Sequence, residues 1–231
     1  MSLRVAVFAS GGGTNLQALL DNFNKRDGVA RIVLVVSDRQ DAHALERARA
    51  AGVEAVVIPV AGRPIDYVSR ETLVTLESAD IDVIALAGYL RLVPPAVVRR
   101  YRNRIINIHP ALLPAFGGKG MFGLRVHRAV IESGATISGV TVHLVDEEYD
   151  TGEIVAQWPV PVLPGDTPES LAARVLRVEH LLYPAALESV ARRLDRGDDR
   201  PDPHTARNGA FTWAAEPAPA ADDIRRALGL E

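Results

Sequence analysis

Short apolar blocks rich in β-branched residues alternate along the first half of the chain with stretches whose apolar positions recur at helical spacing. The blocks Leu3–Ala9, Arg31–Ser37, Ala55–Pro59, Asp82–Ala87 and Arg104–Ile108 predict strands. They read as nearly continuous apolar runs, the pattern of strands buried on both faces of a parallel sheet. Helices are predicted between them at Asn15–Asn24, Ala42–Ala51, Tyr67–Ser78 and Pro95–Tyr101. That alternation predicts an α/β fold with a doubly wound, mainly parallel sheet and helices on both faces, a Rossmann-like architecture.

After Ile108 the rhythm changes. The Gly- and Pro-rich segment Pro110–Gly123 leads to a short helix, then to Thr136–Val145 and Glu153–Val162, which predict antiparallel strands added to the sheet. A long helix, Pro168–Arg193, follows, with Asp166 and Thr167 as cap candidates and Glu169 in its first turn. Its stripe of Leu171, Val175, Val178 and Leu182 is expected to pack on the sheet. One domain over 1–194 results, with halves at about 1–100 and 101–194, and a tail over 195–231. In that tail Phe211 and Trp213 are candidate anchors, and Ala214–Ala221 reads as an extended linker.

Composition narrows the function. A chain of 231 residues with 48% hydrophobic content is long enough for one sizeable core. The net charge of −3, from 26 basic and 29 acidic residues, gives no field that would gather nucleic acid or an anionic membrane. There is no cysteine, so thiol nucleophiles, disulfides and zinc–thiolate sites are excluded. The first apolar stretch, Val5–Ala9, is too short for a signal-peptide core or a membrane span, which points to a cytoplasmic protein.

Four segments carry candidate chemistry. The first, Ser10-Gly-Gly-Gly-Thr-Asn15, joins the first strand to the first helix, where free backbone N–H groups and the helix dipole suit a phosphate. It lacks the Gly-Lys-Ser/Thr ending of nucleoside-triphosphate loops and fits the dinucleotide fingerprint poorly, so a phosphomonoester is the better ligand. An empty strand-to-helix turn is the competing reading. The second, Asn107-Ile-His109-Pro-Ala-Leu-Leu-Pro114, lies at the carboxyl end of the fifth strand, where ligands meet open parallel sheets. Strand alternation puts Asn107 and His109 on one face, an amide donor beside an imidazole that can hold one oxygen and move one proton. A capping Asn and a satisfied core His are the alternative.

The third segment, Asp146-Glu-Glu-Tyr-Asp150-Thr-Gly152, is a carboxylate-rich loop between the two later strands. A carboxylate returning to His109 would raise the pKa of that imidazole and keep it protonated. The same residues equally make a solvated hairpin turn. The fourth, Ala87-Gly-Tyr-Leu-Arg-Leu-Val-Pro94, ends the fourth strand with exposed backbone groups beside apolar side chains, a place for a flat heterocycle or a plain connection.

In this order and spacing, the segments resemble the phosphoribosylglycinamide formyltransferase family from about Leu3 to Arg193. The matching stretches are Ser10–Ala18, Leu86–Arg91, Asn107–Pro114, Gly139–His143, Asp150–Gly152 and Glu179-His180. The resemblance implies that Asn107, His109 and Asp150 are catalytic, that Gly13, Thr14 and Asn15 hold the substrate phosphate, and that Glu179 holds the glycinamide. It implies a folate site made by Leu90, Arg91, Leu92 and Val93 with Asp146, Glu147, Glu148 and Tyr149, and a supporting role for His143. Arg63 and Arg70 compete for the folate tail, with Arg63 favoured. Leu176 stands where the family can place a polar substrate contact, with Arg177 beside it as a substitute, and Phe116–Gly123 is longer than in the shorter family versions.

The implied reaction moves a formyl group from 10-formyltetrahydrofolate to the amine of phosphoribosylglycinamide, in de novo purine synthesis. Its tetrahedral oxygen would be held by Asn107 and protonated His109. Both partners are small molecules, no metal is expected, and the protein would be a monomer or homodimer. Methionyl-tRNA formylation and formylfolate hydrolysis share the Asn-x-His and Asp logic. The first calls for a basic surface and a further carboxyl-terminal domain, and the second usually carries a regulatory domain ahead of the first strand. A non-catalytic phosphometabolite binder is the reading from another class.

Overall fold

The computed structural model describes residues 2–24, 28–198, 223 and 226–228. Phe211, Trp213 and Ala214–Ala221, read above as anchors and linker, lie outside the described residues. Among the described residues seven strands form one sheet in the order β3-β2-β1-β4-β5-β6-β7. These are β1 (Leu3–Phe8), β2 (Ala30–Ser37), β3 (Glu54–Val57), β4 (Val83–Leu86), β5 (Ile105–His109), β6 (Ile137–Leu144) and β7 (Ile154–Pro161). The first five pair in parallel, and β6 and β7 add antiparallel beyond β5. The doubly wound sheet with antiparallel additions is therefore present, with strand ends shifted by a residue or two from the expected ones.

Helices α1 (Thr14–Phe23), α2 (His43–Ala50), α5 (Leu124–Glu132) and α6 (Pro168–Asp195) lie over one face. Helices α3 (Ile65–Ser78) and α4 (Pro95–Arg100) lie over the other. Alternation along β1 divides the two cores: Val5 and Val7 enter the first, Ala6 and Phe8 the second. Because both faces are covered, these strands have no polar side, which is why they read as continuous apolar runs.

Helix α6 buries Leu171, Val175, Val178 and Leu182 fully, as its stripe requires. Thr167 is its N-cap and exchanges hydrogen bonds with Ser170, while Asp166 binds Arg174 through both carboxylate oxygens at 2.7 and 2.8 Å. Cap duty thus falls to Thr167 alone. One turn beyond Glu179, the buried Tyr183 hydroxyl donates to the Leu86 and Ile106 carbonyls, tying the helix to the neighbouring strands β4 and β5. Leu228, in the tail, packs against the first core.

The strand order turns at β1, whose neighbours β2 and β4 continue the chain in opposite directions across the sheet. In open α/β sheets the carboxyl-end crevice at such a switch point receives ligands. Here the loops after β1, β4 and β5 gather at that end.

Candidate active site

A cavity of about 630 Å³ opens along the carboxyl edge of the parallel strands. Thr14 and Asn15 from the start of α1 line it together with Glu179 of α6; Leu90, Arg91, Leu92 and Val93 line it after β4. Asn107, His109, His143 and Asp150 share it. The exposed apolar side chains of Leu90, Phe122, Leu124 and Tyr149 also border it, so a wet, apolar mouth leads to a buried polar floor.

The floor is built by strand register. Asn107 and His109 sit two residues apart on β5, and His143 is the cross-strand partner of Asn107 on β6. Directly opposed residues of an antiparallel pair share a face, so all three side chains point the same way. The Asn107 amide Nδ2 lies 3.0 Å from His143 Nε2, and His143 Nδ1 lies 2.8 Å from the Leu144 carbonyl.

Asp150 reaches this floor from the β6–β7 loop, where it takes a left-handed φ of 59°. Its two oxygens are divided between two imidazoles: Oδ2 is 3.6 Å from His109 Nδ1 and Oδ1 is 3.6 Å from His143 Nε2. The Gly118 N–H also donates to Oδ2 at 2.9 Å. Gly152 permits the loop to close, since a Cβ there would fall on the Leu144 carbonyl. Burial pushes the Asp150 carboxyl up, but its hydrogen-bonding surroundings, the Gly118 N–H among them, hold it below the ordinary carboxylate value. The carboxylate-rich loop is therefore more than a solvated turn.

His109 departs from expectation. Its Nε2 donates to the Phe116 carbonyl at 2.9 Å, and the ring is only 3% exposed. Burial, the largest influence, lowers its pKa below 6.5, while Asp150 and the Phe116 carbonyl pull upward. Asp150 acts with the expected sign, but loss of water outweighs it. The imidazole is thus not held protonated, and its Nε2–H is committed to the loop rather than aimed at a substrate oxygen. A backbone carbonyl leaves no signature in sequence, so this partner could not be read there.

At the opposite end, Gly13 is the α1 N-cap, with a φ of 70°. It does not line the cavity; a Cβ there would lie 2.8 Å from Ala44 Cα, so the glycine lets α2 pack against the loop. Asn15 Nδ2 donates to Glu179 Oε2 at 2.6 Å, while Asn15 Oδ1 is buried with no partner among the described residues. Burial raises the Glu179 pKa, opposed by the bond from Asn15.

Some expected folate contacts are elsewhere. Arg63 donates to the Pro59 carbonyl at 3.0 Å and pairs with Glu71 at 2.7 Å, off the cavity lining, and Arg70 is exposed on α3, also off it. Asp146 accepts from the Glu148 N–H and the Thr151 hydroxyl, and Glu147 pairs with Arg99, so neither lines the cavity, whereas Glu148 and Tyr149 do. Arg91 is oriented by a 2.7 Å bond to the buried Asp38 carboxylate, a partner 53 residues away. Ser10 joins the first loop to the fourth-strand loop: its hydroxyl accepts the Leu90 N–H and its N–H donates to the Gly88 carbonyl. Leu176 lines the cavity beside Ala172 and Ala173, and Arg177 does not. His127 of α5, unnoticed among the apolar positions of its helix, also lines it, with Nδ1 buried and unpartnered among the described residues.

Comparison with known proteins places the fold in a family. The formyl transferase family model matches residues 3–187. The chain is 49% identical over 182 residues to a chloroplastic phosphoribosylglycinamide formyltransferase of Arabidopsis thaliana, covering 78% of this chain but 62% of the plant protein's length. To phosphoribosylglycinamide formyltransferase of Escherichia coli it is 38% identical over 188 residues, 80% of this chain and 85% of that protein. The crystal structure of glycinamide ribonucleotide transformylase 1 from Symbiobacterium toebii superposes with a TM-score of 0.77 at 43% identity, covering 83% of this chain and 88% of that one. The Rossmann-like sheet, the cavity at its carboxyl edge and these matches together establish that the chain belongs to the formyl transferase family.

Proposed function

We propose that the chain transfers the formyl group of 10-formyltetrahydrofolate to the amine of 5-phosphoribosylglycinamide, forming the N-formyl product of de novo purine synthesis. The observation that carries this reading is the meeting of Asn107, His109 and Asp150 in one cavity, with the amino end of α1 and Glu179 on one side and an apolar mouth on the other. The relatives of similar length are named for the same activity.

The phosphate of the amine substrate binds at the amino end of α1, where the N–H groups of the first turn have no intrahelical partner. Glu179 and Asn15 hold the sugar–glycinamide portion. The pterin and its tail lie against Leu90–Val93 and the Glu148–Asp150 stretch, in a mouth whose apolar side chains suit a flat heterocycle. As the amine nitrogen bonds to the formyl carbon, Asn107 donates to the oxygen that gains charge. His109 starts neutral, with its proton on Nε2 and its Nδ1 lone pair toward Asp150. It takes the amine proton, directly or through water, and returns it to the departing folate nitrogen as the carbon–N10 bond breaks. Asp150 stabilises the imidazolium while it exists, and the developing oxygen charge favours it further.

A cytoplasmic setting and a monomer or homodimer belong to this proposal; no helix among the described residues is long and apolar enough to cross a membrane. The test is an assay of the purified chain with formylfolate, with and without phosphoribosylglycinamide. Deformylated folate should appear in step with formylated amine. Folate release without the amine points instead to a hydrolase, and no reaction with either overturns the proposal.

A further inference from the structure

An asparagine can stabilise an oxyanion only if its NH2, rather than its carbonyl oxygen, faces the reacting atoms, and the two ends of the amide are nearly the same shape. The surroundings of His143 decide the orientation. The Leu144 carbonyl can only accept, so the 2.8 Å contact requires a proton on His143 Nδ1. In the neutral ring Nε2 is then a bare lone pair, and an acceptor. The Asn107 amide nitrogen lies 3.0 Å from it. The other nearby group, Asp150 Oδ1, is 3.6 Å away, beyond hydrogen-bond range, and can offer no proton when ionised. A flipped amide would set the Asn107 oxygen against that lone pair.

We propose that His143 is a positioning residue: its Nδ1–H tautomer, fixed by the Leu144 carbonyl, locks the Asn107 amide with NH2 inward, leaving one N–H for His143 and the other for the substrate oxygen. The ring is 2% exposed and is the cross-strand neighbour of Asn107, so no water need mediate the lock. The strand pair brings further order. Thr141, the cross-strand partner of His109, is itself held by donating to the Ala111 carbonyl and accepting from the Leu113 N–H. His143 therefore acts through Asn107 and touches no substrate. This assignment rests on the formyl-transfer reading for its kinetic consequence but not for its tautomer.

Two measurements test it on the full chain. Nitrogen-15 NMR of the imidazoles at neutral pH should show His143 protonated on Nδ1 and bare on Nε2; a proton on Nε2 overturns the proposal. Kinetically, His143→Asn keeps an amide near the Nδ1 position but loses the acceptor, whereas His143→Gln puts an amide oxygen near Nε2. His143→Asn should lower kcat roughly 10- to 100-fold with KM for both substrates within about 3-fold, because only an interaction formed on the way to the intermediate is weakened. His143→Gln should recover part of that loss. In an Asn107→Ala background His143→Asn should cost no more than about 2-fold further, since the two residues act as one unit. Equal losses with and without the Asn107 amide, or a KM that rises as kcat falls, contradict the assignment. If the chain does not formylate the amine at all, wild-type protein shows no amine-dependent turnover while the tautomer remains readable.

Discussion

The imidazole of His109 is joined to the carbonyl of Phe116 by a 2.9 Å bond from Nε2, so the loop after β5 turns back on the strand that carries the ring. Phe116 takes a left-handed φ of 57°, and two residues on, the Gly118 N–H binds Asp150. One short loop thus grips both partners of the histidine–carboxylate pair. With its proton on Nε2 and burial lowering its pKa, His109 enters the proposed reaction as a base.

A pH dependence follows. A base works in its neutral form, so activity is complete above its pKa and falls as pH drops through it. Because burial holds the His109 pKa below 6.5, the acid limb of kcat/KM should lie below pH 6.5. Asp150→Asn removes an upward pull, so that limb should move to lower pH while kcat falls, since the imidazolium loses its partner. A pH–rate series on both proteins checks it; a limb moving upward in Asp150→Asn contradicts the assignment.

His127 gives a stability signature in the same range. Burial, with a smaller contribution from nearby His109, pushes its pKa down to about 4 from 6.5. A buried imidazole that must stay neutral contributes its full stability above pH 6.5, and loses it as pH falls from there toward 4. The loss from this group is on the order of 3 kcal/mol at most. His127→Phe should therefore lose less stability than wild type between these pH values, read by urea unfolding at each pH.

Two of the three arginines considered for folate, Arg91 and Arg63, separate cleanly. Arg91 lines the cavity and is aimed by Asp38, whereas Arg63 is occupied with Glu71 and the Pro59 carbonyl. Arg91→Ala should raise the KM for formylfolate about 10-fold, the effect of losing one charged contact, while Arg63→Ala should change it less than about 2-fold. Steady-state kinetics with folate as the varied substrate decides the order.

Gly152→Ala should damage both fold and function. The added Cβ meets the Leu144 carbonyl, a backbone atom that cannot swing aside, and the loop it disturbs presents Asp150. A loss of about 2 kcal/mol or more, with a lower melting temperature and reduced kcat, is expected. Thermal unfolding and turnover of the one variant measure both.

Much of the fold was legible because strands covered on both faces are mainly apolar, as Val5–Phe8 within β1 and Val83–Leu86 show, and because they alternate with helical stretches. Asn107 and His109 were legible as a pair because strand alternation fixes their common face. Asp150 was legible only through the family resemblance, since nothing local separates a turn carboxylate in solvent from one folded back over a cavity. The protonation of His109 depends on how much water the surrounding structure excludes, which no single residue announces. Arg91 and Asp38 meet across 53 residues, whereas the bond between Arg63 and the Pro59 carbonyl spans only four; tertiary packing, not sequence spacing, decides which arginine reaches the site.

The sharpest test concerns Asn107, whose amide is assigned to charge that exists only during reaction. Turnover and the dissociation constants of both substrates should be measured for Asn107→Ala beside the wild type. A fall in kcat of roughly 100- to 1,000-fold, with both dissociation constants within about 3-fold, is predicted for a lost oxyanion donor. Dissociation constants that weaken by the same factor as turnover falls would make Asn107 a binding group and contradict the mechanism.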